Sequence, residues 1–360
     1  MRILGIETSC DETSAAVVEE TGDPARPWAV RSNVVASQIA IHRDWGGVVP
    51  ELASRQHIRD ICGVIERALS DASSTWSDLG AVAVTQGPGL VGSLLVGVSF
   101  AKAAAAAAGL PLIAAHHLAG HIESLVLQNG ELPLPAVVLV VSGGHTSLYL
   151  IETPGHYQLL SRTRDDAAGE AYDKVAKLLG LQYPGGPVID RLAKLGNPKA
   201  MRFAIPKISD RALDFSFSGV KTAVLQLVKR GSLEPKDEEQ SRQDPARLDL
   251  IASFQESVVE MLWYTTQKAI TLLQPRCLML SGGVAANSRL NEFLREKTAE
   301  CGLKLYVPAR ILTTDNAAMI AAAGTAKLMR GETAGFDYDA DPNMRLAVPT
   351  NGFPDKRWRV

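Results

Sequence analysis

Two copies of one strand-and-turn pattern stand out in the alternation of apolar and polar positions. Residues 2–7 and 13–20 are short apolar runs on either side of the polar segment TSCDE, which predicts a strand, a turn and a second strand. Residues 137–141 and 147–151 repeat this pattern around the segment SGGHT. The chain therefore contains two predicted hairpins whose turns carry hydroxyl groups and ionisable side chains.

A strand followed by a glycine loop and a helix also occurs twice. Residues 81–85 predict a strand, and after the loop QGPG residues 91–108 have helical composition. Residues 277–280 predict another strand, followed by the loop SGG and a helix over 285–297. These two copies predict a duplicated α/β architecture in which two similar sheets face a cleft. Ligands of such sheets bind at the loops beyond the carboxyl ends of the strands.

The domain boundaries are expected where this pattern is interrupted. The linker-like segment NGELPLP separates an N-terminal lobe, residues 1–120, from a C-terminal lobe, residues 130–324. We expect a basic helical insertion at about 187–230 and a helix at about 325–342 that returns to the first lobe. Residues 343–360 lose periodicity and are expected to form an extension.

Charge, cysteine usage and hydropathy limit the class of protein. The 360 residues carry a net charge of −2, which excludes attraction of the whole molecule to nucleic acid or to an anionic membrane but allows a local basic patch. Four cysteines without a CxxC pair argue against a structural zinc site and predict a reducing, cytoplasmic environment. The N-terminus lacks the long apolar region of a signal peptide. The apolar segment 90–115 is interrupted by Lys102, Gly109 and Pro111, so we predict a buried helix and a strand rather than a membrane span.

Two histidines four residues apart indicate a metal site. On a helix over 115–125, His117 and His121 would project from one face, one turn apart. Asp315 would complete a set of two histidines and one carboxylate, which suits Fe(II) or Zn(II). Two surface histidines and an N-capping aspartate are the alternatives. Leu118 stands where the HExxH motif of metalloproteases needs a glutamate base, which argues against peptide hydrolysis.

Two glycine pairs indicate phosphate or nucleotide binding. In Ser142-Gly143-Gly144 the glycines permit positive φ, which would let backbone N–H groups close on an anion. The segment SGGVAAN ends at Asn287 and opens a helix, whose N-terminal amides favour phosphate. Either pair alone is common in hairpins and at helix starts. Their equivalent positions in the two halves favour a nucleotide site.

Three acidic residues are spaced to share a helix face. A helix that begins near residue 164 would place Asp166, Glu170 and Asp173 on one side. Asp165 and Asp166 are expected to be ordinary first-turn acids. Asp173 lies too deep for that role, so we expect a ribose or an amine-bearing ligand as its partner.

A basic segment is the candidate RNA interface. Residues 191–230 contain nine lysines and arginines against two aspartates, a net charge of +7. The candidate RNA-contacting residues are Lys199, Arg202 and Lys207, and the candidate stacking rings are Phe203, Phe215 and Phe217. A solvated basic helix face is the alternative. The polar run 234–247 is expected to be a solvated loop.

The motifs jointly resemble one family. GIETSCDETSAAVV, HHLAGHIES, VVSGGHTSLYL, DDAAGEAYDKVAKLLGL, DFSFSGVKTAV, SGGVAANSRL and TDNAAMIAAAG closely resemble the tRNA N6-adenosine threonylcarbamoyltransferases, once labelled O-sialoglycoprotein endopeptidases. The resemblance runs from residue 1 to about 330. It implies an actin-like, sugar-kinase-like ATPase fold and a cytoplasmic acyltransferase. Ala119 departs from the glutamate of many members, which affects none of the implied metal ligands.

The resemblance also implies site residues. His117, His121 and Asp315 would hold one metal ion, Fe(II) in preference to Zn(II). Asp11 or Glu12 is our hypothetical general base. The residues that would bind the substrate are Val140, Val141, Ser142, Gly143, Gly144, Asp173, Gly186, Asp190 and Asn287.

The implied reaction is acyl transfer. The threonylcarbamoyl group of threonylcarbamoyl-AMP would pass to N6 of the adenosine at position 37, just 3′ of the anticodon, in tRNAs that read codons beginning with adenine. The partners implied are the tRNA anticodon loop, an inactive paralogue and a small P-loop ATPase. The alternatives are an ATPase scaffold without transferase chemistry and the metalloprotease of the old label, which Leu118 disfavours.

Overall fold

The computed structural model describes residues 1–23, 25–204, 213–232 and 234–347. Its strands are β1 (Arg2–Glu7), β2 (Glu12–Glu20), β3 (Trp28–Ser37), β4 (Leu79–Gly87), β5 (Leu112–His116), β6 (Ala136–Val141), β7 (Thr146–Thr153), β8 (His156–Arg162), β9 (Cys277–Ser281) and β10 (Lys304–Tyr306). Its α-helices are α1 (Ile39–His42), α2 (Pro50–Asp71), α3 (Val91–Ala108), α4 (His117–Asn129), α5 (Ala168–Leu178), α6 (Gly185–Ala193), α7 (Ser218–Leu227), α8 (Glu238–Arg242), α9 (Pro245–Leu273), α10 (Ser288–Glu300) and α11 (Ala317–Met329).

The strands form two five-stranded sheets of the same topology. The first has the order β3-β2-β1-β4-β5 and the second the order β8-β7-β6-β9-β10. In each sheet two antiparallel pairs lie on one side of the central strand and two parallel pairs on the other. Both predicted hairpins and both predicted strand–loop–helix units are present, which confirms the duplicated α/β architecture.

The first sheet is covered on both faces. Leu4 and Ile6 of β1 pack with α2 and α3, whereas Ile3 points to the opposite face and packs with α11. A Cβ atom at Gly5 would clash with the carbonyl oxygen of Ala317, so the close approach of α11 to β1 requires glycine there. The small alanine side chains of α11 likewise allow this helix to lie close to β1.

The second sheet packs its β6 and β7 side chains against the helices α5, α6, α7 and α9. The polar run at 234–247 is not a loop: it contains α8 and the first turn of α9. Arg247 is fully buried, and its guanidinium donates hydrogen bonds to the carbonyl oxygens of Leu179 and Glu234. The prediction of a loop is therefore wrong because the run is helical, whereas most of its residues are exposed as expected.

Internal contacts divide the described chain into two units, residues 1–132 with 308–346 and residues 133–307. These bounds differ from the expected ones because the whole of α11 packs on the first sheet. The helix expected at about 325–342 ends at Met329, and Gly331 follows with a φ of 75°. An extended segment then runs along the first unit, where the N–H of Ala334 donates to Leu112 O at 2.7 Å. The expected extension beyond residue 347 lies outside the described residues.

The apolar segment at 90–115 forms α3 and β5. Within the described ranges, α3 is the one helix that is long and apolar enough to cross a membrane by length and composition. It lies against α2 and β4 and buries Leu94, Val98 and Ala101. Core helices of soluble proteins have the same composition, so this helix is weak evidence for a membrane span.

Candidate metal centre and substrate site

The two candidate metal-binding histidines are placed by the start of α4. His116 is the N-cap of this helix, and its Nδ1 accepts a hydrogen bond from the Leu118 N–H at 3.1 Å. His117 is the first helical residue and His121 follows one turn later. Their ring centroids lie 4.8 Å apart in an edge-to-face arrangement, and both side chains are buried. The interpretation as two surface histidines is therefore wrong.

Asp315 lies beside both histidines. Its Oδ1 is 3.2 Å from Nε2 of His121 and 3.5 Å from Nε2 of His117. The N-cap of α11 is the next residue, Asn316, whose Oδ1 accepts from the Met319 N–H at 3.1 Å. Capping therefore does not account for Asp315. One ligand atom from each of the three side chains lies within 4.8 Å of the others, and this donor set fits Fe(II) or Zn(II).

Glu7 lies next to this centre and is not among the residues singled out from the sequence. Its carboxylate is fully buried at the end of β1, where Oε2 lies 3.0 Å from Nδ1 of His117 and accepts from the Thr85 hydroxyl at 2.8 Å. Burial alone lowers the pKa of His117, but the carboxylates of Asp315 and Glu7 outweigh it and raise this pKa to about 9. The only signal in the sequence is an acidic residue that ends an otherwise apolar strand.

The hypothetical general bases lie in the same unit, at the turn between β1 and β2. Asp11 is buried, and Glu12 is half-buried with its Oε1 accepting from the Ser37 hydroxyl at 3.3 Å. Burial first, and then the negative charges of Asp11 and Asp315, raise the pKa of Glu12 well above its usual range. Glu12 therefore holds its proton to a higher pH than an ordinary glutamate.

The buried side chain of His57 holds this turn in place. Nε2 of His57 lies 2.9 Å from the carbonyl oxygen of Cys10, and its Nδ1 lies 2.7 Å from the hydroxyl of Thr13. His57 is fully buried, and burial lowers its pKa. A neutral imidazole that donates from Nε2 and accepts at Nδ1 satisfies both contacts. The backbone on either side of Asp11 and Glu12 is thereby fixed.

The candidate substrate-binding residues all belong to the second unit. Val140 and Val141 end β6 and are fully buried, and the Ser142 N–H donates to the carbonyl oxygen of His145 at 2.8 Å. Gly143 and Gly144 are exposed, and neither uses the positive φ that glycine permits. The turn closes instead through the Ser142 hydroxyl, which accepts from the His145 N–H at 3.1 Å.

The second glycine pair lies next to this turn. Gly282 has a φ of 90°, and a Cβ there would clash with the backbone of Val141. The predicted helix over 285–297 begins instead at Ser288, because Asn287 takes the N-cap position and accepts from the Leu290 N–H at 2.9 Å. The Asn287 amide nitrogen donates to Gln255 at 2.8 Å.

Asp173, Gly186 and Asp190 connect these loops. Oδ1 of Asp173 accepts from the N–H of Gly185 at 2.7 Å, at the start of α6, and Gly186 is half-buried beside it. Asp190 on α6 accepts from the Ser288 hydroxyl at 2.9 Å. Both carboxylates therefore sit at helix N-termini, and the contacts run from α5 through α6 to the start of α10.

Two members of the acidic face, Asp166 and Glu170, pair with lysine side chains of the chain itself. α5 begins at Ala168, so Asp166 lies before the helix and pairs with Lys174 at 2.7 Å and with Lys221. Glu170 also pairs with Lys174, at 2.8 Å. Asp165 is not an ordinary first-turn acid, because it accepts from both hydroxyls and two backbone N–H groups of the segment 216–218.

The candidate RNA patch is only partly described. Lys199 and Arg202 are exposed, and Lys207 lies outside the described residues. The candidate stacking rings are wrong: the side chains of Phe203, Phe215 and Phe217 belong to the core of the second unit. Because these three rings are buried, only the exposed cations remain as candidates for contact with RNA.

Comparison with known proteins identifies the family. A family model described as tRNA N6-adenosine threonylcarbamoyltransferase matches residues 29–322. A protein of that name from Anaeromyxobacter dehalogenans (strain 2CP-C) is 53% identical over 346 residues, which cover 96% of this chain and 99% of the relative. The chain belongs to this family. A relative of the same name from Moorella thermoacetica is 50% identical over 344 residues, 96% of this chain and 97% of its own. The protein is thus an acyltransferase that modifies tRNA.

Solved structures confirm the fold. HypF from T. kodakarensis matches 92% of this chain and 48% of its own at a TM-score of 0.59 and 12% identity. Component A of the (R)-2-hydroxyglutaryl-CoA dehydratase of Acidaminococcus fermentans matches 91% of this chain and 99% of its own at a TM-score of 0.52 and 15% identity. Together with the repeated sheet topology, these matches confirm the duplicated actin-like, sugar-kinase-like ATPase fold.

Proposed function

We propose that the protein transfers the threonylcarbamoyl group of threonylcarbamoyl-AMP to N6 of the adenosine at position 37, in tRNAs that read codons beginning with adenine. N6 attacks the carbonyl carbon of the mixed anhydride, the bond from this carbon to the phosphate oxygen breaks, and AMP leaves. The exocyclic amine is a weak nucleophile because its lone pair is delocalised into the ring. The rate must therefore come from positioning and from stabilisation of charge on the carbonyl oxygen and the phosphate.

The observation that carries this proposal is the convergence of His117, His121 and Asp315 in a chain of this family. A metal ion held by these residues, Fe(II) in preference to Zn(II), would supply Lewis acidity and charge neutralisation at the phosphate. An ATPase scaffold without transfer chemistry has no use for this donor set. A metalloprotease would need a base where Leu118 stands.

The chain's own residues are assigned the remaining tasks. Backbone N–H groups around Ser142–Gly144 and Gly186 and the carboxylates of Asp173 and Asp190 would bind the nucleotide part of the adenylate, with Asn287 and the end of β6 beside them. Glu12, or Asp11 next to it, would accept the proton that leaves N6. The raised pKa of Glu12 makes its carboxylate a better proton acceptor than that of an ordinary glutamate.

The proposal includes the setting in which the enzyme works. Lys199, Arg202 and Lys207 would contact the anticodon loop of the tRNA. An inactive paralogue and a small P-loop ATPase would be its protein partners in the cytoplasm. The adenosine lies in a loop, so exposing it costs less than extracting a base from a duplex.

A reconstituted reaction tests the proposal. Purified protein is mixed with threonylcarbamoyl-AMP and unmodified tRNA, with and without a metal chelator and the two partner proteins, and the digested tRNA is examined for the modified nucleoside by mass spectrometry. We expect product that disappears with chelator and returns with Fe(II) or Zn(II). A complete mixture without product contradicts transfer, and product unaffected by complete metal removal contradicts metal dependence.

A further inference from the structure

The buried carboxylate of Glu7 is arranged to receive hydrogen bonds. Its Oε1 accepts from the N–H of Ser9 at 2.5 Å, and its Oε2 accepts from the Thr85 hydroxyl at 2.8 Å and faces His117 Nδ1 at 3.0 Å. A carboxylate that is 0% exposed is costly unless such donors compensate the loss of water. Donors from β4, from the turn after β1 and from α4 therefore converge on one side chain.

This contact determines which nitrogen of His117 carries the proton. Both oxygens of Glu7 already accept hydrogen bonds from Ser9 and Thr85, so Nδ1 is the nitrogen of the neutral imidazole that donates to Glu7. The Ser9 hydroxyl also lies 3.1 Å from Nδ1. In this neutral form, which is the one that binds a metal, Nε2 carries the lone pair on the Asp315 side, where Oδ1 lies 3.5 Å away. The Nδ1 side of the ring is held by Glu7, and the Nε2 side is directed to the candidate metal site that it forms with His121 and Asp315.

We propose that Glu7 is a positioning residue that sets the metal affinity of the centre through His117. Its carboxylate fixes the tautomer and the orientation of the ring and makes Nε2 a stronger electron donor. This inference rests on the proposed metal site and adds to it a fourth side chain that does not touch the metal.

The test compares metal affinity in two variants of the full-length protein. Glu7→Gln keeps the shape of the side chain but removes its charge, and we expect it to bind Co(II) and Zn(II) about 10–100-fold more weakly, with an altered Co(II) visible spectrum. Thr85→Val is the matched control, because it removes another hydrogen bond to the same oxygen and leaves the pair with His117 intact. The affinity of this control should change much less.

A second measurement does not depend on a variant. Nitrogen-15 NMR of the histidines in the Zn(II)-loaded wild-type protein should show His117 with a proton on Nδ1 and the metal on Nε2. The opposite tautomer, or equal affinity in Glu7→Gln and the wild-type protein, would overturn the role of Glu7 alone. A wild-type protein that binds no metal would overturn the metal site as well, whereas transfer activity is measured separately.

Discussion

Oδ1 of Asp315 lies 3.2 Å from Nε2 of His121, although the two residues are almost two hundred positions apart in the chain. The contact is possible because the neighbouring residue, Asn316, takes over the N-cap of α11. Two adjacent side chains thus divide two tasks. Asp315 faces the histidines, and Asn316 satisfies the backbone at the start of the helix.

We therefore expect substitutions of these two neighbouring residues to have opposite effects on metal binding and stability. Asp315→Asn should leave the helix cap and the thermal unfolding temperature nearly unchanged, but should weaken metal binding by more than the roughly 10–100-fold typical of changes outside the ligand set. Asn316→Ala should destabilise the protein by about 0.5–2 kcal/mol and keep its metal. Metal titration and urea unfolding of both variants provide the measurement. Loss of metal from Asn316→Ala alone would contradict the assignment.

The raised pKa of Glu12 predicts a pH dependence of transfer. If Glu12 is the base, it works only when deprotonated, so the single-turnover rate should rise with pH as its carboxyl loses the proton. Asp11→Asn removes one of the charges that raise this pKa. The rising limb should therefore move to lower pH in that variant, while Glu12→Gln should lose the limb and most of the rate.

Quenched single-turnover reactions over a pH series measure this effect. Ser37→Ala serves as the opposite control, because the Ser37 hydroxyl that donates to Glu12 lowers the pKa of this carboxyl, and its removal should move the rising limb to higher pH. Near-normal rates in both Asp11→Ala and Glu12→Ala would exclude these two carboxylates as the base.

The exposed cations at Lys199 and Arg202 predict a salt-dependent contribution to tRNA binding. Reversing both charges should weaken binding and reduce the slope of log K against log salt by roughly 0.7–0.9 for each lost phosphate contact. Lys268→Glu, an exposed lysine on α9, is the control. Filter binding over a salt series gives both quantities, and an unchanged slope would remove the patch from the interface.

The sequence predicts those parts of the structure that depend on residues close together in the chain. Apolar alternation and glycine loops locate both hairpins, and the four-residue spacing of His117 and His121 places them on one helix face. Each of these signals lies within about a dozen residues. The helix α3 agrees with its predicted bounds, Val91–Ala108, for the same reason.

The parts that it does not predict depend on partners that are distant in the sequence. Glu7 acquires its role from Thr85 and His117, and nothing near β1 indicates either of them. Asp165 is bound by the segment 216–218, some fifty residues further on. The sequence does not show whether an acidic or aromatic residue in a polar segment is buried, because burial depends on distant elements that pack over it. Phe217, which is fully buried, is an example.

The burial of Arg247 leads to a prediction about stability. Its Nη1 donates to the Leu179 carbonyl at 2.8 Å, and its Nη2 donates to Glu234, so it joins the end of α5, the polar run and the start of α9. In Arg247→Met the apolar stem is retained, but the hydrogen bonds of the guanidinium to both carbonyls are lost, and the Leu179 carbonyl keeps only the Lys236 N–H at 3.0 Å. Hydrogen bonds of a charged group contribute about 1.5–3 kcal/mol, and we expect the free energy of unfolding in urea to fall by that order.

A nearby arginine provides the control for this prediction. Arg242 of α8 is half-exposed and pairs with Glu238 at 2.8 Å, a surface ion pair whose loss in Arg242→Met should cost no more than about 1 kcal/mol. A larger loss in Arg242→Met than in Arg247→Met would mean that surface charge, and not the buried guanidinium, holds the polar run. Since Arg247 belongs to the second unit and the proposed metal ligands belong to the first, its variant should keep the metal stoichiometry of the wild-type protein while folded.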